Sequence, residues 1–410
     1  MPKIYKPIKT DILIEKLVPG GSALGTISNP SSPEHGKKVF LWNALPEETV
    51  TLFQPTKKKS SYLEGIALEI KNPSKYRVSP KDPCYLSTSP WQILSFSQEL
   101  TQKELLVKES LTQAHVPLNS NLSIAPIKTD QTEWNYRNKM EYALYWDKEK
   151  EKISLAFHAR GSHNKIPITS SSIERPEILE QAQKTINCLN ELHEPAYKYQ
   201  SLLLRSNQKG IVSGGLLENH QPHPTFQNLS DSLLDTNYSY SPNGFFQINL
   251  PVYELALKEI ENHLTTEKVL DLYSGVGTIG LSVAAEKRLT LVETNDDAFR
   301  ELENNCHSKS SLYKSLNPVH AKSEEALSFI SPDQTVILDP PRSGCDKKLL
   351  EKLLEEKPNT IIYLSCNPAT QARDVSILTS KNDYKITTIS PYNFFPKTPH
   401  IENLIVLKCI

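Results

Sequence analysis

The stretch VLDLYSGVGTIGL, residues 269–281, decides the fold of the C-terminal part of this chain. An apolar run that suits a buried strand passes directly into Gly275, Gly277 and Gly280, which have the G-x-G-x-x-G spacing of a nucleotide-binding turn between a strand and a helix. Glycines at these positions let the backbone approach a ligand closely and offer its N–H groups. By themselves they indicate a dinucleotide or adenosine ligand, so an NAD(P)-dependent oxidoreductase is one alternative.

Two acidic residues near the turn favour a cationic cofactor. Asp271 lies four residues before the first glycine, where it would repel a pyrophosphate and attract the sulfonium group of S-adenosylmethionine (AdoMet). Glu293 ends the next predicted strand and suits the two hydroxyls of a ribose. Either acid could also be a solvated residue at a strand end, but the two together favour AdoMet.

Helices and strands alternate from about residue 250 to residue 410. Such alternation predicts a doubly wound α/β sheet, which binds its ligands at the carboxyl ends of the strands. The polar motifs of this part of the chain fall at those ends. The predicted helices are 251–264, one after GVGTIGL, 296–308, 346–355 and 368–379, and the predicted strands are KVLDLY, LTLVE, TVILDP, TIIYLS and a closing β pair.

The chain before this sheet is richer in β-structure. Short strands cut by Gly, Pro and Ser fill the first 75 or so residues and predict a small antiparallel barrel, a common nucleic-acid-binding module. A helical period over residues 90–115 predicts a linking helix, and residues 120–235 return to β-like patterns with one helix near 175–194. The stretch TNYSYSPNG marks the next boundary. The sequence therefore predicts three domains, at residues 1–75, 76–240 and 241–410.

Composition limits the class of protein. The 410 residues are 38% apolar and 23% charged, with a net charge of −1 and a pI near 6.8, so the chain is globular and any basic surface is local. Lys57, Lys58 and Lys59 are expected to be a solvated loop tip more than an RNA contact. No apolar run approaches the roughly 20 residues of a membrane helix, and the N-terminus lacks the pattern of a signal peptide.

The six cysteines are widely scattered and include no C-x-x-C pair. This argues against a zinc site, an iron–sulfur cluster and a disulfide framework, and it predicts a cytoplasmic protein. One thiol has unusual neighbours. In IIYLSCNPAT, residues 361–370, Cys366 follows an apolar strand and precedes an Asn-Pro pair that opens a helix. A buried core thiol is the alternative, but this context favours a presented thiol with a lowered pKa.

The stretch ILDPPRSG, residues 337–344, is more specific than the glycines. Two prolines after Asp339 end the strand and form a stiff turn, and Arg342 follows them. The motif resembles that of base-methylating AdoMet enzymes, where such a turn holds the flat target base beside the methyl donor.

Taken together, these motifs resemble the RNA 5-methyluridine methyltransferases of the RumA/TrmA type, class I AdoMet-dependent RNA (uracil-5-)-methyltransferases. The resemblance covers essentially the whole chain, and its N-terminal barrel is similar to the OB-like TRAM domain of that family. Several independent motifs occur in the family's order: YRNKMEY, FHARGSHNKIPI, SPNGFFQIN, DLYSGVG, DPPRSG, YLSCNPAT and PHIEN.

The resemblance implies a mechanism. Carbon 5 of uracil is a poor nucleophile, so a thiolate first adds to carbon 6 and makes an enolate whose carbon 5 can take the methyl group. Cys366 matches the family's nucleophile, and Glu402 matches its base, which removes the proton from carbon 5. The residues that the resemblance assigns to AdoMet are Gln247, Tyr273, Gly275, Gly277, Thr278, Glu293 and Asp339. Near the base, Phe245 and Phe246 could either pack the pocket or stack on the base, and Pro340 and Arg342 belong to the turn that would hold it. Arg137, Arg160 and His163 are candidates for contacts with the RNA backbone.

The chain departs from many barrel-bearing members of the family, which bind an iron–sulfur cluster just after the barrel. The corresponding segment here holds only Cys84, so no cluster is expected. The expected partner is RNA, with 23S ribosomal RNA favoured slightly over transfer RNA because of the barrel. No DNA, no membrane and no second copy of the chain is expected. The alternatives are a non-catalytic RNA-binding protein, the NAD(P)-dependent oxidoreductase, and a methyltransferase of exocyclic nitrogens that would not need Cys366.

Overall fold

The computed structural model describes residues 5–118, 122–218, 221–223 and 226–410. The chain divides into two compact units, which we describe separately, and the three domains predicted from the sequence stay a prediction. No helix in the described ranges is long and apolar enough to cross a membrane. The first unit comprises Met1–Leu106, Ala156–Ser172 and Phe395–His400, and the second comprises Val107–Leu155, Ile173–Phe394 and Ile401–Ile410.

A closed five-stranded barrel begins the first unit and confirms the prediction from the tightly spaced strands. Its strands are β1 (Ile8–Leu17), β2 (Ala23–Thr26), β3 (Lys38–Trp42), β4 (Thr49–Lys58) and β5 (Tyr62–Lys71). They close in the order β1-β2-β3-β5-β4. The barrel is not wholly antiparallel, because β3 and β5 run parallel. Alternate residues of β1, such as Ile12 and Ile14, are buried inside it.

The lysine triplet lies at the end of β4 and the turn that follows. Lys57 forms an ion pair with Glu64 at 2.7 Å, and Lys58 forms one with Glu34 at 3.2 Å. Lys57 and Lys58 are therefore strand residues with acidic partners, and not part of a loop tip as predicted. After the barrel come α1 (Tyr85–Thr88) and α2 (Phe96–Gln113), where the sequence predicted a linking helix.

The next sheet has six strands. It is formed by β6 (Lys139–Asp147), β7 (Lys152–His158), β8 (Lys165–Pro167), β9 (Ser201–Ser206), β10 (Val212–Glu218) and β11 (Gln221–His223), in the order β11-β10-β9-β6-β7-β8. The last three residues of β7, from Ala156 onwards, and all of β8 belong to the first unit. The rest of the sheet belongs to the second unit. Helix α3 (Pro176–Glu191) lies where the sequence predicted it and buries Ile178, Ala182, Ile186 and Leu189 along one face.

The stretch interpreted as a polar boundary contributes the second strand of a hairpin. Strands β12 (Leu229–Leu233) and β13 (Thr236–Tyr240) pair across Leu234 and Asp235, which both have positive φ. The polar residues of β13 alternate with buried Tyr238 and Tyr240. The alternation of buried and polar residues could therefore have predicted this strand, but the high polar content of the stretch suggested a turn.

The C-terminal sheet confirms the doubly wound α/β prediction. Its strands are β14 (Lys268–Leu272), β15 (Arg288–Glu293), β16 (Ser315–His320), β17 (Gln334–Leu338), β18 (Thr360–Ser365), β19 (Tyr384–Tyr392) and β20 (Glu402–Cys409). The helices around it are α4 (Leu250–Asn262), α5 (Thr278–Val283), α6 (Asp296–His307), α7 (Lys347–Glu356) and α8 (Pro368–Thr379). The order is β16-β15-β14-β17-β18-β20-β19, and β20 alone runs antiparallel to the other strands of this sheet. The sequence analysis missed β16, an edge strand that contains Pro318.

Candidate active site

The glycine turn between β14 and α5 depends on its glycines in different ways. Gly275 and Gly277 have φ values of 56° and 90°, in the left-handed region. A Cβ on Gly277 would also lie 2.7 Å from Leu281 and from Leu302. Tyr273 has a φ of 65° although it is bulky, and backbone strain of this kind concentrates at functional sites.

Asp271 lies beneath this turn and holds it in place. Its carboxyl is fully buried, and its Oδ2 accepts a hydrogen bond from the Gly280 N–H at 2.9 Å. A Cβ on Gly280 would lie 2.8 Å from that oxygen. Burial, with smaller effects from the charges of Asp339 and Glu293, raises the pKa of Asp271 to about 8. The predicted attraction of a sulfonium group is therefore corrected, because this carboxyl is inaccessible and largely neutral at pH 7.

Glu293 ends β15, as predicted, but it also binds the turn. Its Oε2 accepts a hydrogen bond from the Gly275 N–H at 2.8 Å, and its Oε1 accepts from the N–H groups of Thr294 and Asn295. A carboxylate has about four acceptor positions, so the half-buried side chain can still accept from ribose hydroxyls. The hydroxyl of Thr278 is engaged with that of Tyr253 at 2.8 Å.

Gln247, in the loop between β13 and α4, is buried to all but 7% of its surface. Within the part of the chain that the structure describes, nothing hydrogen-bonds to its side-chain amide. A buried amide almost always has a partner in a functional state. This donor and acceptor therefore suits a polar ligand, which is compatible with the assignment of Gln247 to AdoMet.

The register of two strands brings Cys366 and Glu402 together. Strand β18 ends at Ser365 and β20 begins at Glu402, and in this antiparallel pair Ser365 lies opposite Asn403. The next cross-strand positions are therefore Cys366 and Glu402, and side chains in such positions lie roughly 5 Å apart at Cβ. Cys366 is half-buried and Glu402 is 4% exposed. Two residues 36 positions apart in the sequence thus meet at one end of the sheet.

Asp339 and Arg342 complete the electrostatics of this pair. Asp339 follows β17, which runs parallel to β18, and burial raises its pKa to about 7. Burial and then the charge of Asp339 raise the pKa of Glu402 well above its usual range, and Arg342 opposes this. Burial, followed by the charges of Glu402 and Asp339, raises the pKa of the Cys366 thiol to about 11, again against Arg342. The acids and the thiol form one coupled cluster, with one cation facing it.

The turn that carries Arg342 is fixed by α8. The Arg342 carbonyl accepts hydrogen bonds from Asn367 Nδ2 at 2.9 Å and from Thr370 Oγ1 at 3.1 Å. The Cys345 N–H donates to the buried Oδ2 of Asp374 at 2.8 Å. Sequence reasoning missed these side chains, although the spacing of residues 367, 370 and 374 places them on one face of a helix.

A second contact of α8 fixes the register of the strands. Gln371 Nε2 donates to the carbonyls of Tyr363 and Asn403, each at 2.8 Å, and Asn403 Nδ2 donates to Gln371 Oε1 at 2.7 Å. All three residues are buried. The amide pair therefore joins α8 to both strands that carry the thiol and the glutamate, and the sequence analysis did not identify it.

The two adjacent phenylalanines have different environments. Phe245 is 72% exposed and is available to a base, whereas Phe246 is 3% exposed. Phe246 stacks on Tyr240 with ring centroids 3.9 Å apart and planes 14° apart. Of the two roles predicted for Phe246, packing is therefore the one that its burial and its stacking on Tyr240 support. In the Asp-Pro-Pro-Arg turn, Pro340 is buried and Arg342 is exposed.

The three residues assigned to RNA contacts are not alike. Arg137 Nε donates to the Lys139 carbonyl at 3.0 Å, which orients it along β6. The Arg160 guanidinium lies 3.8 Å from the ring centroid of Trp42 and donates to the Leu86 carbonyl, so this side chain ties together parts of the first unit. His163 is exposed. Arg160 and His163 belong to the first unit, whereas the cluster around Cys366 belongs to the second.

All six cysteines lie in described residues and are free thiols. Cys345 and Cys306 are buried, which raises the pKa of the first to about 12 and of the second to about 11. Across the described ranges, no group of three or more His, Cys, Asp or Glu side chains is arranged to hold a metal ion.

The strand order of the C-terminal sheet, with a glycine turn after β14, defines the Rossmann-like class of methyltransferases. Residues 328–410 match the family model described as tRNA (uracil-5-)-methyltransferase, and this segment contains Asp339, Cys366 and Glu402. This match agrees with the resemblance found in the motifs of the chain, and it identifies residues 328–410 as similar to that family.

Similar proteins cover nearly the whole chain. An uncharacterized RNA methyltransferase of Lactobacillus johnsonii is 28% identical over 90% of this chain and 92% of its own length. One of Enterococcus faecalis is 26% identical over the same shares. The solved structure of the Pyrococcus abyssi tRNA (uracil-54, C5)-methyltransferase in complex with S-adenosyl-L-homocysteine has a TM-score of 0.71 at 23% identity, over 96% of this chain and 99% of that one. The last comparison confirms the fold, barrel included.

Proposed function

We propose that this protein is an AdoMet-dependent methyltransferase that forms 5-methyluridine in RNA, with Cys366 as the nucleophile and Glu402 as the base. The observation that carries the proposal is the juxtaposition of these two residues at the ends of β18 and β20. A thiol and a carboxyl side by side suit a reaction that needs an addition to one ring carbon and a proton removal at its neighbour. The relatives are named as RNA methyltransferases, and the fold neighbour is named as a tRNA (uracil-54, C5)-methyltransferase, which supports the proposal.

The chemistry assigns a step to each residue. The Cys366 thiolate adds to carbon 6 of uracil, and the electrons that leave the double bond make carbon 5 nucleophilic. Carbon 5 takes the methyl group, which turns it into a tetrahedral carbon that bears one proton. Glu402 removes that proton, the double bond reforms, and the thiolate leaves. The Asp-Pro-Pro turn and exposed Phe245 would hold the base flipped out of the RNA.

Arg342 supports the first step. The thiol has a pKa of about 11 because it is buried beside two acids, and the Arg342 guanidinium opposes that shift. A cation facing the thiol stabilises the thiolate, which is the reactive form. The hydrogen bonds from α8 to the Arg342 carbonyl fix the backbone from which this side chain extends.

The residues around the glycine turn would hold the methyl donor. These are Gln247, Tyr273, Gly275, Gly277, Thr278, Glu293 and Asp339. When bound, AdoMet supplies an electrophilic methyl group on a positively charged sulfur. Asp339 is half-buried beside Glu402 and Cys366 and would orient a cation there, whereas Asp271 only supports the turn from below.

The RNA would contact the barrel, the central sheet and the residues near the base. The barrel favours ribosomal RNA, whereas the family model and the fold neighbour are both named for transfer RNA, so the proposal extends to either. Free thiols suit the reducing cytoplasm, where we place the protein as a monomer.

The test uses total RNA from a strain that lacks this gene, incubated with the protein and AdoMet labelled in its methyl group. Nucleoside analysis should find labelled 5-methyluridine with the wild type and with Cys188→Ala, a control at an exposed thiol, but none with Cys366→Ala. Mapping of labelled fragments then names the RNA and the uridine.

Other outcomes separate the alternatives. Label in another nucleoside, unaffected by Cys366→Ala, would leave a methyltransferase of exocyclic nitrogens. Absence of label from a folded protein that binds RNA would favour a non-catalytic RNA-binding protein. Protection against unfolding by NAD(P) but not by AdoMet would favour the oxidoreductase.

A further inference from the structure

The loop between β13 and α4 carries two residues of the proposed site, and side chains of the central sheet bind its backbone carbonyls. Lys139 Nζ donates to the carbonyls of Asn243 at 2.9 Å and Gly244 at 3.0 Å. The Arg205 guanidinium donates to the carbonyls of Gly244 at 3.2 Å and Phe246. Two cations therefore hold three carbonyls of a short loop.

A neighbouring asparagine extends these contacts. Asn138 Nδ2 donates to the Gln247 carbonyl at 3.3 Å, and the Asn138 N–H donates to the Ile248 carbonyl at 3.4 Å. Lys139 is the first residue of β6, Asn138 directly precedes it, and Arg205 lies on β9. We call these three residues the carbonyl clamp.

The two cations of the carbonyl clamp are an unfavourable pair for the sheet itself. Lys139 and Arg205 are direct cross-strand partners, and like charges in this position destabilise a sheet. Arg205 is fully buried, and within the described ranges neither cation hydrogen-bonds to a carboxylate. Burial and the charge of Arg205 lower the pKa of Lys139 to about 8. The charges of Asp231 and Glu301 near Arg205, and of Glu141 near Lys139, offset part of this repulsion. The hydrogen bonds of both cations, however, go to the loop carbonyls.

The consequence appears in the side chains of the loop. Phe245 is 72% exposed, while Phe246 and Gln247 are 3% and 7% exposed. Phe246 also lies near the Arg205 guanidinium, 5.8 Å from ring centroid to guanidinium carbon. Since the carbonyls on both sides of Gln247 are bound, rotation of the loop that would exchange exposed and buried side chains is prevented.

We propose that Asn138, Lys139 and Arg205 are positioning residues that keep Phe245 exposed to the target base and Gln247 buried at the cofactor site. This inference rests on the proposed function, because it assigns the carbonyl clamp to those two residues. It gives the Asn-Lys part of YRNKMEY a role within the protein.

The test replaces Lys139 with Met, which keeps the length of the side chain but removes its charge and its hydrogen bonds. Misplacement of a reacting group by 1 Å can lower a rate about 100-fold, so kcat/KM should fall at least about tenfold. The affinity for S-adenosylhomocysteine, measured by calorimetry, should fall about threefold, the effect of losing part of one hydrogen bond. Amide hydrogen exchange in residues 241–249 should become faster.

Two variants serve as controls. Lys139→Arg keeps the charge and the donors and should restore most of the activity. Lys148→Met removes an exposed charge in the turn after β6 and should change none of these quantities. The midpoint of urea unfolding of Lys139→Met should equal or exceed that of the wild type, because repulsion of Arg205 is removed.

Two outcomes would overturn the proposal. In one, Lys139→Met loses RNA binding while cofactor affinity and exchange in 241–249 stay unchanged, so that Lys139 is an RNA contact. In the other, activity falls only in proportion to a lowered unfolding midpoint, so that the role is merely structural. Calorimetry and exchange need no turnover. If the wild type forms no 5-methyluridine, the proposed function fails, and these two measurements still decide on the carbonyl clamp.

Discussion

Replacement of Asp271 by Asn tests whether this buried acid is a neutral support for the glycine turn. Its pKa is about 8 in the folded protein, because of burial, and about 3.9 in an unfolded chain. Between these two values the folded state holds a proton that the unfolded state has lost. The free energy of unfolding therefore falls as the pH rises through this window, and the contribution is complete only below about pH 4.

Asn does not titrate, so residue 271 no longer lowers the free energy of unfolding of the Asp271→Asn variant as the pH rises. One proton corresponds to about 1.4 kcal/mol per pH unit, and the stability of Asp271→Asn relative to wild type should rise by up to that amount per unit between pH 5 and pH 7. The Asn oxygen can still accept from the Gly280 N–H, whereas its NH2 group replaces an oxygen that has no partner among the described residues. That group adds a constant penalty of about 1–3 kcal/mol.

The assay is urea unfolding of both proteins at pH 5, 6 and 7. Other buried acids, such as Asp339 and Glu301, titrate in both proteins, so their contributions largely cancel in the difference. A difference that stays constant with pH would refute the reasoning. It would mean that Asp271 is ionised in the folded protein, as its earlier interpretation as a partner of a sulfonium group requires.

Three further predictions concern the turn, the loop and the thiol. Gly344→Ala should lower the free energy of unfolding by about 1–3 kcal/mol in urea titrations, because its Cβ would lie 2.6 Å from side chains of α8 at a φ of 81°. Phe246→Ala should cost about 3–5 kcal/mol in the same assay, whereas Phe245→Ala should stay within about 0.5 kcal/mol but weaken RNA binding. The alkylation of Cys366 by iodoacetamide, followed by peptide mass spectrometry, should become about tenfold faster per pH unit up to pH 9. The variant Arg342→Gln should react more slowly. A rate that does not depend on pH would contradict the raised pKa of the thiol.

The sequence predicted most of the framework, because its signals there are local. Strand β18 and helix α8 fall where the apolar run and the Asn-Pro pair predict them. The pair of Cys366 and Glu402, in contrast, depended on the family resemblance, since no local pattern reveals that β20 lies against β18. Only the register with Asn403 places the two side chains together.

The errors arise where one pattern has two physical causes. An acid at a strand end can bind a ligand or a backbone N–H equally well. Asp271 is buried and accepts from the Gly280 N–H, so it binds the backbone. Two adjacent phenylalanines cannot both face the same side of an extended loop, but the sequence does not say which is buried. Contacts of side chains with distant carbonyls, such as those of Lys139 and Asn367, leave no periodic signal.

The most direct test of the account is the covalent state of Glu402→Gln with substrate RNA and AdoMet. This variant can add the thiolate and transfer the methyl group but cannot remove the proton from carbon 5, so the protein–RNA adduct should accumulate. After digestion with nuclease and protease, mass spectrometry should find a methylated uridine nucleotide on the peptide that contains Cys366. An unmodified Cys366 peptide, together with 5-methyluridine released at the wild-type rate, would contradict the roles of both residues.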